Sequence, residues 1–190
     1  LMPEYRDRNA LGAHRPVPPA FTGQAPTEMA CVSNVLEHVF EHGYAHHIER
    51  LMVLGNLALT SGVDPRAMTD WMWAGFVDAA EWVMLPNVIG MALHADGGMM
   101  ATKPYASGGA YLNRMSDHCR GCRYDPRQRT GPDACPFTTL YWDFLARHEE
   151  QFRSNHRMAR PLAGLARLGD LAEVRDRASE VLVALDNGRL

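Results

Sequence analysis

Long apolar runs are missing from this 190-residue sequence. A membrane-spanning helix needs roughly 18–20 consecutive apolar residues. The longest candidate, Leu51 to Leu59, is interrupted by Gly55 and Asn56. The first residues, Leu1-Met2-Pro3-Glu4-Tyr5-Arg6, lack the pattern of a secretory leader. No membrane partner is therefore expected, and the setting is expected to be cytoplasmic. Cysteine is also scarce. Four residues are too few for a disulfide-stapled secreted domain, so a thiolate metal site is the better expectation. Positive charge is not in excess: 19 Lys and Arg face 22 Asp and Glu, a net charge of −3. That excludes a strongly basic nucleic-acid binder but not a local basic face. Apolar–polar alternation of the kind strands need is absent, as are repeats and low-complexity tracts.

What is present is helical. Residues 1–26 hold five prolines (Pro3, Pro16, Pro18, Pro19 and Pro26) and read as an irregular arm. From Thr27, a possible cap, Met29, Val32, Leu36, Val39 and Phe40 recur at helical steps until Gly43. A second helix is expected over about 44–60. A third opens at Asp64-Pro65 and runs to about Met84, with Pro86 as its stop. Residues 86–106 read as a structured loop with short helical turns, and 120–134 as a loop. Further helices are expected at 108–117, 136–149, 160–168 and 170–186. The fold class is all-α.

Cys119 and Cys122 form a C-x₂-C pair, Cys135 follows after twelve residues, and Cys31 lies far upstream. Such thiolates can converge on one centre. Two disulfides fit the expected compartment poorly. A structural Cys₄ zinc site and an iron–sulfur cluster are level on spacing alone. His38 and His42 also stand at i, i+4, but no third ligand accompanies them.

Three runs carry a resemblance. They are Trp73-Ala-Gly-Phe-Val-Asp78-Ala-Ala-Glu81-Trp82-Val-Met-Leu-Pro86-Asn87-Val-Ile-Gly90-Met91, Ala101-Thr-Lys103-Pro-Tyr105-Ala-Ser107-Gly-Gly-Ala-Tyr111-Leu-Asn113-Arg-Met-Ser-Asp117, and Cys135-Pro-Phe-Thr-Thr-Leu-Tyr141-Trp142-Asp143-Phe144. Together they resemble the iron–sulfur bacterial cryptochrome and photolyase family over essentially the whole chain. The resemblance implies the C-terminal part of the helical FAD-binding domain of that fold, covering residues 27–190. The antenna domain and the first half of the helical domain would then be absent, and that missing half would be a partner of this chain.

The resemblance also implies chemistry. Cys31, Cys119, Cys122 and Cys135 fall where the family's 4Fe–4S ligands fall. FAD would be met by Asp78, Met84, Asn87, Tyr105, Ser107, Gly108 and Asn113. Trp71 and Tyr111 would carry electrons, His46 and His47 would transfer a proton, and Arg50 would meet a phosphate of damaged DNA. The expected activity is light-driven repair of (6-4) photoproducts by the full enzyme, the isolated fragment being inactive. Alternatives are a cryptochrome-like blue-light photoreceptor and a zinc-stabilised helical binding module. From the residues alone, Asp78 reads more readily as the buried partner of an arginine, Ser107 as the cap of the fourth helix and Asn113 as a surface polar residue.

Overall fold

The computed structural model describes residues 3–190, and the first two residues of the arm lie outside it. Helices α1 (Ala30–His42), α2 (His47–Glu49), α3 (Asn56–Ser61), α4 (Pro65–Gly75), α5 (Glu81–Leu85) and α6 (Gly109–Met115) occupy the first part of the chain. Helices α7 (Pro136–Arg147), α8 (Glu149–Phe152), α9 (Ala159–Leu165) and α10 (Leu171–Asp186) follow. Among the described residues there is no strand, only two isolated bridges, Arg15 with Val63 and Asp125 with Ala134. The all-α expectation holds. None of these helices is long and apolar enough to cross a membrane.

Helix α7 is the central element. Its Phe137, Leu140, Phe144 and Leu145 are fully buried, and α3 and α10 pack along it. Each such side chain contributes roughly 1.5–3 kcal/mol by leaving water. Helix α1 buries Val32, Val35, Leu36 and Val39, an i, i+3, i+4, i+7 stripe, and ends at Gly43 in the left-handed region at φ 60°. Asp64 caps α4 by accepting the N–H of Ala67, with Pro65 in the first turn.

Several expectations need correction. Helix α1 starts later than Thr27. Met29 is its N-cap residue, and the Thr27 hydroxyl accepts the Met29 N–H, holding the approach to the helix instead of capping it. The second helix begins at His47, not at 44, and between α2 and α3 it widens into a π-helical stretch, Arg50–Gly55. The third helix breaks after Gly75. Residues 76–80 form a hinge, so Asp78 is not on a helix. Pro86 does not stop the chain from coiling: a second π-helical stretch, Pro86–Ala92, continues α5. Proline has no N–H to give and its ring crowds the carbonyl four residues back, a conflict that a wider turn relieves. The two π stretches meet where Gly55 lies against Ala92, and a Cβ on Gly55 would stand 2.9 Å from that of Ala92.

The described part of the N-terminal segment opens with a 3₁₀ turn, Pro3–Asp7, and is stitched to the helices. Ala10 N–H donates to the Ala95 carbonyl, Arg15 N–H to that of Gly62, and Phe21 is fully buried. Tyr5 donates its hydroxyl to the buried Asp96 carboxylate at 2.9 Å, which also accepts the N–H groups of Gly98 and Met100. Gly90 makes this contact possible: a Cβ there would stand 2.5 Å from the Tyr5 hydroxyl and 2.6 Å from Met100 Cβ.

His94, in the same loop, is buried with φ 50°, and its Nδ1 has no partner. Burial pushes its pKa below the ordinary value, against the opposing pull of Asp96. His148 is lowered too, by burial and then by Arg147. The unfolded chain therefore takes up these protons first, near pH 6.5, and stability falls as pH drops below that value. His94→Asn tolerates the left-handed backbone and is expected to shrink the difference between urea midpoints at pH 7.5 and pH 5.5. His148 supplies the slope that remains. An undiminished difference would clear His94 of the effect.

Candidate functional site

The four cysteines come from three places that the fold brings together. Cys31 is in the first turn of α1, Cys119 and Cys122 sit on and after the 3₁₀ turn His118–Arg120, and Cys135 is the N-cap residue of α7. Helix α1 packs on the His118–Arg120 turn, and α6 packs on both that turn and α7. All four thiols are free. Cys31 and Cys135 are buried, while Cys119 and Cys122 are half-buried. The Cys122 sulfur lies 4.0 Å from the Glu28 carbonyl oxygen, just before α1.

The thiols are close enough to feel one another's charge. Cys31 is pushed well above its ordinary value, first by burial and then by Cys135, Cys122 and Cys119. Cys135 is pushed up to about 11 by burial, against stabilising N–H groups of Thr138 and Phe137. Cys119 rises for burial and for Cys122. Cys31, Cys119 and Cys135 thus favour the neutral thiol in the absence of a cation, and a cation bound among them would displace those protons. Among the described residues, no group of three or more His, Cys, Asp or Glu side chains is arranged to hold a metal ion.

Two clefts flank the π stretch Arg50–Gly55. The first is lined by His47, Arg50, Leu51, Met72, Met84, Asn87, Val88 and Ala92 among others, so both π stretches build it. Met84 is buried, and the Asn87 amide donates to the Val83 carbonyl at 2.7 Å. The second cleft is lined by His46, Glu49, Met52, Tyr111, Met115 and His118 among others. It places a candidate proton-transfer residue beside a candidate electron carrier, and His118 precedes the cysteine Cys119.

Local chemistry fixes these groups. His46 is the N-cap residue of α2: its Nδ1 accepts the Ile48 N–H, while Glu49 accepts the His46 N–H in a reciprocal capping box. Both His46 and His47 are exposed. Arg50 donates to both Asp78 oxygens at 2.8 and 3.0 Å and, through Nε, to the Ala45 carbonyl at 2.6 Å. Its guanidinium lies over the rings of Phe76, at 4.2 Å, and Tyr44, at 4.9 Å. The arginine-partner reading of Asp78 is therefore present in the structure, with Asp78 about half exposed and Arg50 largely buried. The Arg50 guanidinium holds the Asp78 carboxyl below the usual carboxylate range. A DNA phosphate reaches Arg50 only in competition with Asp78.

Trp71 is half-buried. Its indole N–H donates to the Phe21 carbonyl at 2.7 Å, and its ring packs on Phe21 at 5.0 Å and edge-on to Phe76 at 6.1 Å. The adjacent Met72 lines the first cleft. Tyr105 and Asn113 are exposed and belong to neither cleft. Ser107 does not cap α6: the N-cap residue is Gly108, with no side-chain cap bond. The Ser107 hydroxyl is instead engaged by Asn56 at 3.0 Å.

Reading the sequence missed Asn56, Thr138 and His118. Asn56 and Thr138 are buried polar residues inside helices, a pattern without a motif. The only signal was Gly108-Gly109, a pair that announces close approach by something else.

No protein-family model matches this chain. Similar proteins include the (6-4) photolyase of Agrobacterium fabrum (strain C58 / ATCC 33970), 50% identical over 186 residues. That similarity covers 97% of this chain and 36% of the relative. The uncharacterized protein R855 of Acanthamoeba polyphaga mimivirus is 29% identical over 102 residues, 54% of this chain and 76% of its own length. The chain thus spans about a third of the length of the first of these relatives.

Proposed function

Because the chain belongs to the (6-4) photolyase family, we propose that it is the C-terminal part of a light-dependent enzyme that repairs (6-4) photoproducts in DNA, using FAD and a 4Fe–4S cluster. The observation that carries the proposal is the juxtaposition, around one π-helical stretch, of a cleft holding Met84, Asn87 and His47 with a cleft holding His46 and Tyr111.

The donor set suits an iron–sulfur centre. The thiols come from three places, two of them buried and two half-buried, and lie within reach of one another's charge. It is the resemblance to a family whose four cysteines hold a 4Fe–4S cluster that favours the cluster over a mononuclear zinc site. The first cleft is small and offers a flavin one wall, not an enclosing pocket: Leu51, Met72, Met84 and Val88 are its apolar part, and Asn87 and Arg50 supply polar groups at it. The chemistry that a reduced, light-excited flavin supplies is one electron to the lesion, returned when repair is complete.

The chain's own residues then have defined tasks. Met84 and Asn87 position the ring at the first cleft, and Tyr105, Ser107, Gly108 and Asn113, which lie outside that cleft on the loop before α6 and on α6 itself, would meet the part of the cofactor that extends beyond it. Asp78 acts through Arg50, which pins the 76–80 hinge beside the cleft. His46 and His47 present imidazoles, the side chain that exchanges protons near neutral pH. Trp71 and Tyr111 relay electrons from the surface. Damaged DNA is the substrate, and the preceding part of the same protein completes the cofactor site.

The complete polypeptide, illuminated with blue light in the presence of a (6-4) photoproduct oligonucleotide, is expected to restore the undamaged bases. Flavin photoreduction without repair would move the reading to a photoreceptor. A colourless protein holding zinc would move it to a structural binding module.

Trp71→Phe tests the relay. Phe keeps most of the volume against Phe21 and Phe76 but is far harder to oxidise and gives up the bond to the Phe21 carbonyl. Photoreduction of the flavin is expected to slow at least tenfold at normal flavin content. An unchanged rate would remove Trp71 from the path.

A further inference from the structure

The segment Ser107–Gly109 is held from two sides by buried side chains. On one side is Asn56, fully buried at the start of α3. Its amide oxygen accepts the Ser107 N–H at 3.0 Å, and its nitrogen donates to the Ser107 carbonyl and hydroxyl at 2.9 and 3.0 Å. On the other side is Thr138 of α7. Its hydroxyl accepts the Gly109 N–H and donates to the Pro126 carbonyl, both at 2.9 Å. Neither α6 nor its cap offers a replacement partner for Gly109, because Gly108 has no side chain to cap with.

Thr138 is also tied to the cysteine centre. Its N–H donates to the Cys135 carbonyl at 2.8 Å. A Cβ on Gly109 would stand 2.8 Å from the Cys135 sulfur and 3.0 Å from both Pro126 Cα and the Thr138 hydroxyl. The Cys135 sulfur therefore rests directly on the Gly109 backbone. Pro126 belongs to the loop between Cys122 and Cys135, so one hydroxyl links that loop, the start of α7 and the start of α6. A displacement of Cys135 has no slack in which to be absorbed before it reaches Gly109 and, two residues on, Ser107.

We propose that Thr138 is a positioning residue that couples the cysteine centre to the Ser107–Gly108 segment, so that metal occupancy of the one governs the FAD affinity of the other. This rests on the assignment of iron–sulfur and FAD sites above, and adds a connection between them. The buried hydroxyl is the coupling element, since valine fills the same space but leaves the Gly109 N–H and the Pro126 carbonyl unpaired.

The test uses the complete polypeptide as Thr138→Val, Thr138→Ser and Asn56→Ser variants. Two quantities are read: the dissociation constant for FAD by equilibrium dialysis, and the rate of iron loss to a chelator. Thr138→Val is expected to weaken FAD binding and speed iron loss, each at least tenfold, and Thr138→Ser to restore both. Asn56→Ser is expected to weaken FAD binding at least tenfold while iron loss stays at the wild-type rate. Thr138→Val with wild-type FAD affinity would overturn the coupling. If that variant does not fold, the wild type stripped of iron supplies the comparison, and unchanged FAD affinity there overturns it as well. A wild type that holds no iron or no FAD refutes the site assignments instead, an outcome visible before any variant is made.

Discussion

Cys135→Ser in the complete polypeptide is expected to remove nearly all bound iron and to lower the thermal midpoint markedly. The position separates metal ligation from helix stability. Cys135 is the N-cap residue of α7 and makes no side-chain cap bond. Serine is among the best N-cap residues, so as a helix terminus the variant should gain stability. Any loss must then come from the centre. The proposed ligands lie on α1, on and after the His118–Arg120 turn, and on α7, and α7 carries the fully buried Phe137, Leu140 and Phe144. Without metal, Cys31 and Cys135 are left as thiols whose burial favours the protonated form. A loss of about 3 kcal/mol is expected from the coupling of metal binding to folding. Iron by elemental analysis and the midpoint by calorimetry are the two readouts. An iron-free variant with an unchanged or higher midpoint would show that the centre has no structural role. Zinc in the wild type would replace the cluster reading altogether.

What could be read from the sequence divides along physical lines. Helices defined by apolar spacing and by strong terminators were legible: the α1 stripe ending at Gly43, α4 opening at Asp64-Pro65, and α10 over 171–186. The prolonged coil through Pro86 was not, because proline argues locally against an α-helix, while the wide turn that accommodates it is held by tertiary contacts such as the close approach of Gly90 to Tyr5 and Met100. The hinge at 76–80 was hidden for the opposite reason. Its residues, Phe-Val-Asp-Ala-Ala, have no breaker, and the break is held by Arg50, 28 positions away. The cysteines could be singled out in the sequence because a C-x₂-C pair followed by Cys135 is an uncommon spacing, and the fold brings Cys31 to the same region. Which clefts they adjoin was not, since Tyr111 and His46 meet only through the packing of two helices. Asn56 and Thr138 show the limit most plainly: their roles lie wholly in the partners they reach.

Arg50→Met is expected to destabilise the complete polypeptide by about 2 kcal/mol and to leave the salt dependence of its DNA affinity unchanged. Three guanidinium nitrogens donate within the chain, two to Asp78 and one to Ala45, above the faces of Phe76 and Tyr44. Charge-assisted bonds contribute roughly 1.5–3 kcal/mol each when buried, but the half-exposed Asp78 reduces that figure by screening. Methionine keeps the apolar contact with the rings and loses all three bonds, so the 76–80 hinge is released. The pH dependence carries a second signature. Arg50 lowers the Asp78 pKa in the folded state. The pair's contribution is therefore present above the ordinary carboxylate value near 4 and is lost as pH falls through the lower folded value. Wild type is expected to lose stability in that acid window, and Arg50→Met to lose less there, since Asp78 has no partner to lose. A residue that instead contacts a DNA phosphate releases a counterion on binding, and its removal cuts the slope of log affinity against log salt by roughly 0.9. Measuring urea midpoints at pH 7 and pH 3.5, and DNA affinity across salt, distinguishes the two roles. A smaller salt slope with an unchanged midpoint would place Arg50 on the DNA and leave Asp78 as an incidental neighbour.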